Sequence, residues 1–350
     1  MLSFDNFRQE NSVMSKVRLG LIGFGRLGSI HARNIVNSEN AELYAVCDTA
    51  EEALENAKKT HGVQTYSEMD DFLAQPIDGV IIASNTHLHL EHIRVAAKAG
   101  KHIFTEKPIG LTMEETDTVL QEVVDAGVKF QIGFQRRWDP RFLKAKKAIQ
   151  SGEIGEPVLY KAYGRDPNAS NPANWGLDKN GGLYLNAAIH DYDAARFLME
   201  REAIKLSATG AALVHTELAR FHDIDTCSTT LFLERNAMAM TEWSRYAAYG
   251  YDVAAEVIGT EGAIQIGRER TDPVVVLHKN DDAPGVFEEF GDAYAAELEG
   301  FARSISEDSP TSPGVEDARI ALQLALLARE SFDNDNKFVT VAPLRPLEKQ

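Results

Sequence analysis

Val17-Arg18-Leu19-Gly20-Leu21-Ile22, followed by Gly23-Phe24-Gly25-Arg26-Leu27-Gly28 and a helix-period segment to Val36, is the stretch that decides the fold. An apolar strand runs into a G-x-G-x-x-G turn that opens a helix, and Asp48 stands twenty residues after Gly28 at the end of the next strand-like run. That context turns a common glycine pattern into a dinucleotide-binding fingerprint. Gly23 permits the tight turn, Gly25 lets the backbone reach a pyrophosphate over the helix N-terminus, and Gly28 allows close packing of helix on strand. Asp48 would accept hydrogen bonds from the adenosine ribose hydroxyls and repel a 2′-phosphate, which favours NAD over NADP. The plain alternative is a glycine-rich turn between strand and helix with no ligand.

Outward from this turn, short β-branched runs alternate with helix-period segments as far as Phe134. The strand-like runs are Val17–Ile22, Glu42–Cys47, Gly79–Ala83, His102–Thr105 and Lys129–Gly133; the helical segments are Leu27–Val36, Ala50–Thr60, Leu88–Ala99 and Met113–Ala126. The rhythm predicts a doubly wound parallel sheet, a Rossmann domain over residues 16–136. Beyond Trp138 come a basic helix, Pro140–Gln150, a strand at Val158–Tyr163, and a loop rich in Pro, Asn and Gly at Asp166–Gly182. Strand-like runs then follow one another at Ala203–Leu213, Cys227–Glu234, Ala237–Trp243, Val253–Gly259 and Ala263–Gly267, before helices at Asp292–Ser306 and Val315–Phe332. Strands without intervening helices indicate a largely antiparallel sheet. The expected fold class is therefore α/β plus α+β, with residues 137–350 as a substrate-binding and oligomerisation domain.

A chain of 350 residues with 44% hydrophobic side chains can bury two cores. Thirty-six Lys and Arg against 53 Asp and Glu leave a net charge of −17, a field that repels nucleic-acid backbones. No long apolar run is present to span a membrane. Cys47 and Cys227, far apart in strand-like runs, suit buried thiols in a reducing cytosol, so a cytoplasmic protein is expected. Residues 1–15 read as a disordered tail, or as an upstream start with Met14 as the alternative start codon. Alternating apolar residues on an outer sheet face at Cys227–Leu233 predict a homo-oligomer, a dimer or tetramer.

Two further stretches carry chemistry. Thr105-Glu106-Lys107-Pro108 closes a strand, where ligands of open α/β sheets bind, and proline after Lys107 raises the chance of a cis bond. In Gly181-Gly182-Leu183-Tyr184-Leu185-Asn186-Ala187-Ala188-Ile189-His190-Asp191-Tyr192-Asp193, helical spacing puts Asn186, His190 and Asp193 on one face and Asp191 on another. A polar stripe in an apolar helix suggests a pocket lining; otherwise Asn186 is a helix cap and His190 a structural histidine. His87, His89 and His92 do not converge on one helical face, so no metal site is expected.

Together the glycine turn, Ala99-Gly100-Lys101-His102-Ile103-Phe104-Thr105-Glu106-Lys107-Pro108 and Ile189-His190-Asp191 resemble the Gfo/Idh/MocA family of sugar and polyol oxidoreductases. Phe134-Gln135-Arg136-Arg137-Trp138-Asp139-Pro140, Gly164-Arg165-Asp166-Pro167 and Tyr249-Gly250-Tyr251-Asp252 are similar to its inositol 2-dehydrogenase branch. The resemblance implies a catalytic lysine at Lys107 and an acid/base histidine at His190, with Asn186 setting the ring's orientation. It implies cofactor contacts from the loop Gly23–Gly28, Asp48, Ser84, Asn85, Glu106, Lys107 and His89, the last over the nicotinamide ribose. Arg137, Asp193 and Tyr249 are the candidates for holding the remaining substrate hydroxyls. Inositol dehydrogenases carry aspartate where this chain has Asn186, and asparagine there also resembles branches acting at C3 of sugars or nucleotide-linked sugars.

The expected reaction is NAD-dependent oxidation of a ring hydroxyl of a cyclitol or sugar by hydride transfer. The alternatives are oxidation at C3 of a sugar or nucleotide-linked sugar, hydrolysis or elimination with recycling of bound NAD, and a cofactor and sugar sensor without chemistry. Lys107 and His190 together argue against the sensor, which needs neither.

Overall fold

The computed structural model describes residues 15–167, 177–267, 274, 276–278 and 285–349. Nearly all of the N-terminal stretch read as a tail, and the middle of the Asp166–Gly182 loop, lie outside the described residues.

The first layer is built by β1 (Val17–Ile22), α1 (Arg26–Val36), β2 (Ala41–Cys47), α2 (Glu51–His61), β3 (Gln64–Tyr66) and α3 (Met69–Leu73), then β4 (Gly79–Ile82), α4 (His89–Lys98), β5 (His102–Glu106), α5 (Met113–Ala126) and β6 (Phe130–Gly133). Its six strands run in the order β3-β2-β1-β4-β5-β6, all parallel. The order reverses beside β1, so the crevice beyond the carboxyl ends of β1 and β4 is where this topology seats a ligand. Two elements of this layer escaped the reading of the sequence, β3 and α3; at three and five residues they are too short to show a period. The α3 residue Phe72 packs so tightly that a Cβ on Gly20 of β1 would stand 2.5 Å from its ring.

The remainder comprises α6 (Pro140–Gln150), β7 (Pro157–Arg165), α7 (Leu177–Asn180), α8 (Ile189–Met199), β8 (Ala203–Ala211), β9 (Thr226–Leu233) and β10 (Ala237–Ser244). It continues through β11 (Asp252–Gly259), β12 (Ala263–Ile266), α9 (Val286–Glu289), α10 (Gly291–Ser306), α11 (Val315–Asp333) and β13 (Val339–Thr340). The second sheet has seven strands in the order β12-β11-β7-β10-β9-β8-β13, antiparallel except where β10 lies parallel to β7. The helix α10 crosses back to the first sheet, where Leu298, Phe301 and Ala302 pack with Leu19, Leu21 and Phe104. Burying side chains of this size contributes about 1.5–3 kcal/mol each. The first core is thus completed by residues from near the end of the chain.

One expectation is corrected by the second sheet. The alternating residues Cys227, Leu231 and Leu233 are 3%, 1% and 2% exposed and face the helical layer, where the Tyr192 hydroxyl of α8 lies 2.8 Å from Thr229 Oγ1. A period of two separates the faces of a strand but does not say which of them is covered. The open face carries Lys161, Tyr163, Ser228, Met240, Glu242 and Ala254 instead.

Candidate active site

The glycine turn is held from two sides. Gly23 N–H donates to Cys47 O at 2.8 Å, and Phe24 N–H donates to Asp48 Oδ2 at 2.7 Å, so the end of β2 grips the turn. Gly23 adopts φ +91, and a Cβ there would stand 2.8 Å from Ser84 N; a Cβ on Gly28 would stand 2.0 Å from Gly23 O. Around Gly25 nothing lies within 4 Å of where a Cβ would be. Gly23 and Gly28 are required by the protein's own packing, whereas Gly25 opens onto free space at the mouth of α1. No side chain caps α1, so its first N–H groups, with the positive end of the helix dipole, face the same space. This cradle fits a dinucleotide pyrophosphate. Among the described residues Asp48 accepts one further bond, from Ala50 N at 2.9 Å, and a carboxylate has about four acceptor positions, which leaves capacity for ribose hydroxyls.

At the ends of β4 and β5 the residues divide. Ser84 is half-buried and Asn85 exposed after the end of β4, and Ser84 Oγ lies 2.9 Å from His92 Nδ1. His89 is turned inward at 2% exposure, its ring nitrogens 2.9 Å from Pro108 O and 3.0 Å from Ser84 O, so it ties the two strand ends together and does not lie over a ribose. The Lys107–Pro108 bond is cis. Glu106 also points away from the glycine turn, into the layer under α1, where Oε1 meets His31 Nε2 at 2.7 Å.

Lys107 leaves the end of β5 in the opposite direction and donates its Nζ proton to Asn186 O at 2.5 Å. Asn186 belongs to a π-helical turn, Tyr184–Ala188, in which the Ile189 N–H reaches back to Tyr184 O. Such wide turns are rare and cluster at functional sites. Helical spacing missed it, because periodicity assumes 3.6 residues per turn. The two ends of Asn186 are therefore both occupied: Lys107 takes the backbone oxygen, and Arg245 Nη2 lies 3.4 Å from Oδ1. Arg245 is itself held by Asp223 Oδ2 at 3.1 Å, and Asp223 Oδ1 accepts from Leu183 N and Ile224 N. Neither Arg245 nor Asp223 was anticipated; lone charged residues in strand-flanking loops carry no sequence signal.

His190 follows at the start of α8, 8% exposed, with its ring edge-on to Phe134 at 6.1 Å between centroids. Its Nδ1 has no partner among the described residues, so Asn186 does not orient the ring as expected. Burial, with the positive charges of Lys107 and Arg136, holds His190 well below the usual histidine range, which keeps it neutral and able to accept a proton. Lys107 is pulled down to about 8, first by burial; Glu106 opposes this, and Arg245 adds to it. A base that is neutral and an ammonium that titrates near neutrality stand at one end of the cleft.

The candidates for the remaining hydroxyls fare differently. Arg137 and Asp193 are committed to each other at 2.9 and 2.7 Å, and Arg137 also binds Asp317 of α11 at 2.8 Å, so they clamp α8 to α11 and do not line the site. Tyr249 turns its hydroxyl to Asp252 Oδ2 at 3.4 Å and shares a pocket with Thr209, Tyr246 and Arg165. The neighbours that sequence passed over stand closer to the chemistry. Arg136 Nη1 binds Asp191 Oδ1 at 2.5 Å, the Trp243 indole N–H donates to the other oxygen, and the buried Arg136 charge lowers the proton affinity of His190.

Residues 17–134 match the oxidoreductase family with an NAD-binding Rossmann fold, Gfo/Idh/MocA, and residues 142–265 match the C-terminal domain of the same family. Among curated proteins, the chain is 35% identical to the myo-inositol 2-dehydrogenase of Thermotoga maritima, over 91% of this chain and 96% of that protein. It is 37% identical to the scyllo-inositol 2-dehydrogenase (NAD(+)) of Bacillus subtilis, over 91% and 95%. Among solved structures, scyllo-inositol dehydrogenase from Lactobacillus casei with bound NAD(H) and scyllo-inositol superposes with a TM-score of 0.85 at 32% identity, covering 93% of this chain and 99% of that one. With the glycine cradle, the Rossmann strand order and the Lys107–His190 site on the same chain, the protein belongs to the Gfo/Idh/MocA family of NAD-binding oxidoreductases.

Proposed function

We propose that this protein is an NAD-dependent dehydrogenase that oxidises a ring hydroxyl of a cyclitol, in the manner of an inositol 2-dehydrogenase. The observation that carries the reading is the bond from Lys107 at the end of β5 to Asn186 O, four residues before His190, whose proton affinity the lysine's charge lowers, on a chain whose relatives are inositol dehydrogenases. NAD, when bound, supplies the hydride acceptor. The α1 N-terminus and the open side of Gly25 hold the pyrophosphate, and Asp48 receives the ribose hydroxyls. The Lys107 ammonium donates a hydrogen bond to the substrate oxygen and steadies the charge that develops there. His190 takes the hydroxyl proton, a role typically worth about 10²- to 10⁴-fold in rate.

A second reading, oxidation at C3 of a sugar or nucleotide-linked sugar, is favoured by Asn186, whose side chain faces Arg245 and adds no negative charge. A panel of inositols, aldopyranoses and one UDP-sugar, assayed with NAD and NADP by absorbance of the reduced cofactor, separates the two. NADH formation fastest with an inositol supports the cyclitol reading. Fastest turnover with the UDP-sugar overturns it, and product without net NADH reveals cofactor recycling.

The open face of the second sheet, with Met240 44% exposed, supports assembly into a homo-oligomer through that face. Two buried free thiols, Cys47 and Cys227, support residence in a reducing cytoplasm. No helix among the described residues is long and apolar enough to cross a membrane.

A further inference from the structure

Beneath the cleft, in the layer between the first sheet and α1 and α10, lies a group of titratable side chains that the mechanism above does not use. His31 of α1, Glu106 of β5 and Glu297 of α10 are all buried, and one ligating atom from each lies within 4.8 Å of the other two. His31 Nε2 and Glu106 Oε1 are 2.7 Å apart. Both carboxyl oxygens of Glu297, at 0% exposure, lack a hydrogen-bond partner among the described residues. The surroundings are aromatic, with Phe104 and Tyr294 edge-on to His31 at 5.5 and 6.1 Å between centroids. Gly133 backs the Glu106 carboxylate, and a Cβ there would stand 3.1 Å from Oε2.

We propose that His31, Glu106 and Glu297 form a positioning site for Lys107, in which the two carboxyl groups hold one proton and present a single negative charge at the residue next to the lysine in the chain. The proposal rests on the assignment of Lys107 to the chemistry. Two carboxylates this close in an apolar layer do not both ionise. Glu106 has a hydrogen-bond partner in His31, whereas Glu297 has none among the described residues and is the one that holds the proton. Burial and the neighbouring Glu106 hold Glu297 well above the usual carboxylate range, in agreement.

Lys107 after β5, His89 of α4 and Tyr294 of α10 face the charges of the triad, with Arg26 of α1 and Tyr251 before β11 around Tyr294. Of these, Lys107 is the one with a task in the reaction. Glu106 is the strongest influence that raises its proton affinity, against burial, Arg245 and Arg136. The triad is therefore a counterweight that keeps the ammonium form available near neutral pH.

The test compares pH profiles of kcat/KM for wild type, E106Q and E297Q, with infrared spectra of the carboxyl region. In wild type, a protonated carboxylic acid band persists at neutral pH, and E297Q removes it. E106Q moves the alkaline limb toward lower pH by about one unit, a tenfold change in the proton equilibrium, whereas E297Q leaves the limb in place because an amide replaces a neutral acid. A wild-type spectrum without that band overturns the proposal, and this measurement stands even if a variant does not fold. A limb unmoved in E106Q, or moved equally in E297Q, overturns it too. So does one divalent ion per chain in purified wild type that is absent from E297Q, since the three groups would then be metal ligands. Turnover retained in Lys107→Met defeats the functional assignment instead, so the two failures are distinguishable.

Discussion

The two sides of the cleft are built by different means. On the cofactor side the working groups are backbone N–H groups and a bare glycine within one short turn, with Asp48 bonded to Phe24 N and Ala50 N. On the substrate side they are side chains, and the bond from Lys107 to Asn186 joins positions 79 residues apart. A site made from local backbone tolerates change in neighbouring side chains; one assembled from distant side chains depends on every contact that brings them together. Substitutions on the substrate side should therefore act on kcat and its pH dependence, and those on the cofactor side on affinity and cofactor choice.

The sharpest break is Lys107→Met. It should lower turnover by about 10²- to 10⁴-fold while NAD binding, measured by titration calorimetry, stays near wild type, because the pyrophosphate rests on α1 and the glycine turn. A parallel loss of NAD affinity would merge the two sides.

Arg137→Met probes the clamp behind α8. It strands Asp193, which is buried and already held above its ordinary range by burial despite Arg137, so stability should fall by about 3–5 kcal/mol in denaturant unfolding. The pH limbs of the surviving native protein should stay in place; a moved limb would put Arg137 back in the site.

Arg245→Met breaks the buried pair with Asp223, so stability should fall, but by less than in Arg137→Met because Asp223 keeps two backbone donors. It removes a positive neighbour that lowers Lys107, so the lysine should hold its proton to higher pH and the alkaline limb should rise above about 8. Asn186→Asp acts in the same direction on His190. A carboxylate beside the site favours the imidazolium, a higher pH is then needed to free the base, and the acidic limb should rise by about one unit, or 1.4 kcal/mol. Improved relative turnover of myo-inositol in this variant would tie position 186 to polyol preference. The smallest effect on rate belongs to the cofactor side: Asp48→Ser with Thr49→Arg should shift preference from NAD toward NADP with kcat within a few-fold of wild type. Wild type using NADP better than NAD would remove Asp48 from the ribose.

Legibility in the sequence follows the same division. The strand before Gly23, the turn and the helix after it are each specified by neighbours in the chain, so β1 and α1 stand where the pattern put them. Lys107 and His190, the proposed reacting pair, were singled out from the sequence too, through motifs at a strand end and a helix start. Their supports were not. Arg245 and Asp223 flank strands without any periodic signature, and the π turn at Tyr184–Ala188 breaks the period on which the helical face was read. Arg136 and Arg137 are adjacent and chemically identical, and only packing sends one to Asp191 of α8 and the other to Asp317 of α11.

By itself, then, the order of amino acids determined the parallel first sheet, the glycine turn of a dinucleotide fold and the succession of strands in the second half, and it singled out Lys107 and His190 as the pair proposed for proton and charge handling. These follow from alternation, helical period and turn chemistry, which act over a few residues. Tertiary structure alone decided that α10 returns to close the first core, that the apolar face of β9 is the covered one, and that His89 is a strut. It also decided that Glu106 looks away from the cofactor toward His31 and Glu297. Such outcomes turn on which surfaces meet across the folded chain, and burial and pairing between distant segments leave no local pattern to read.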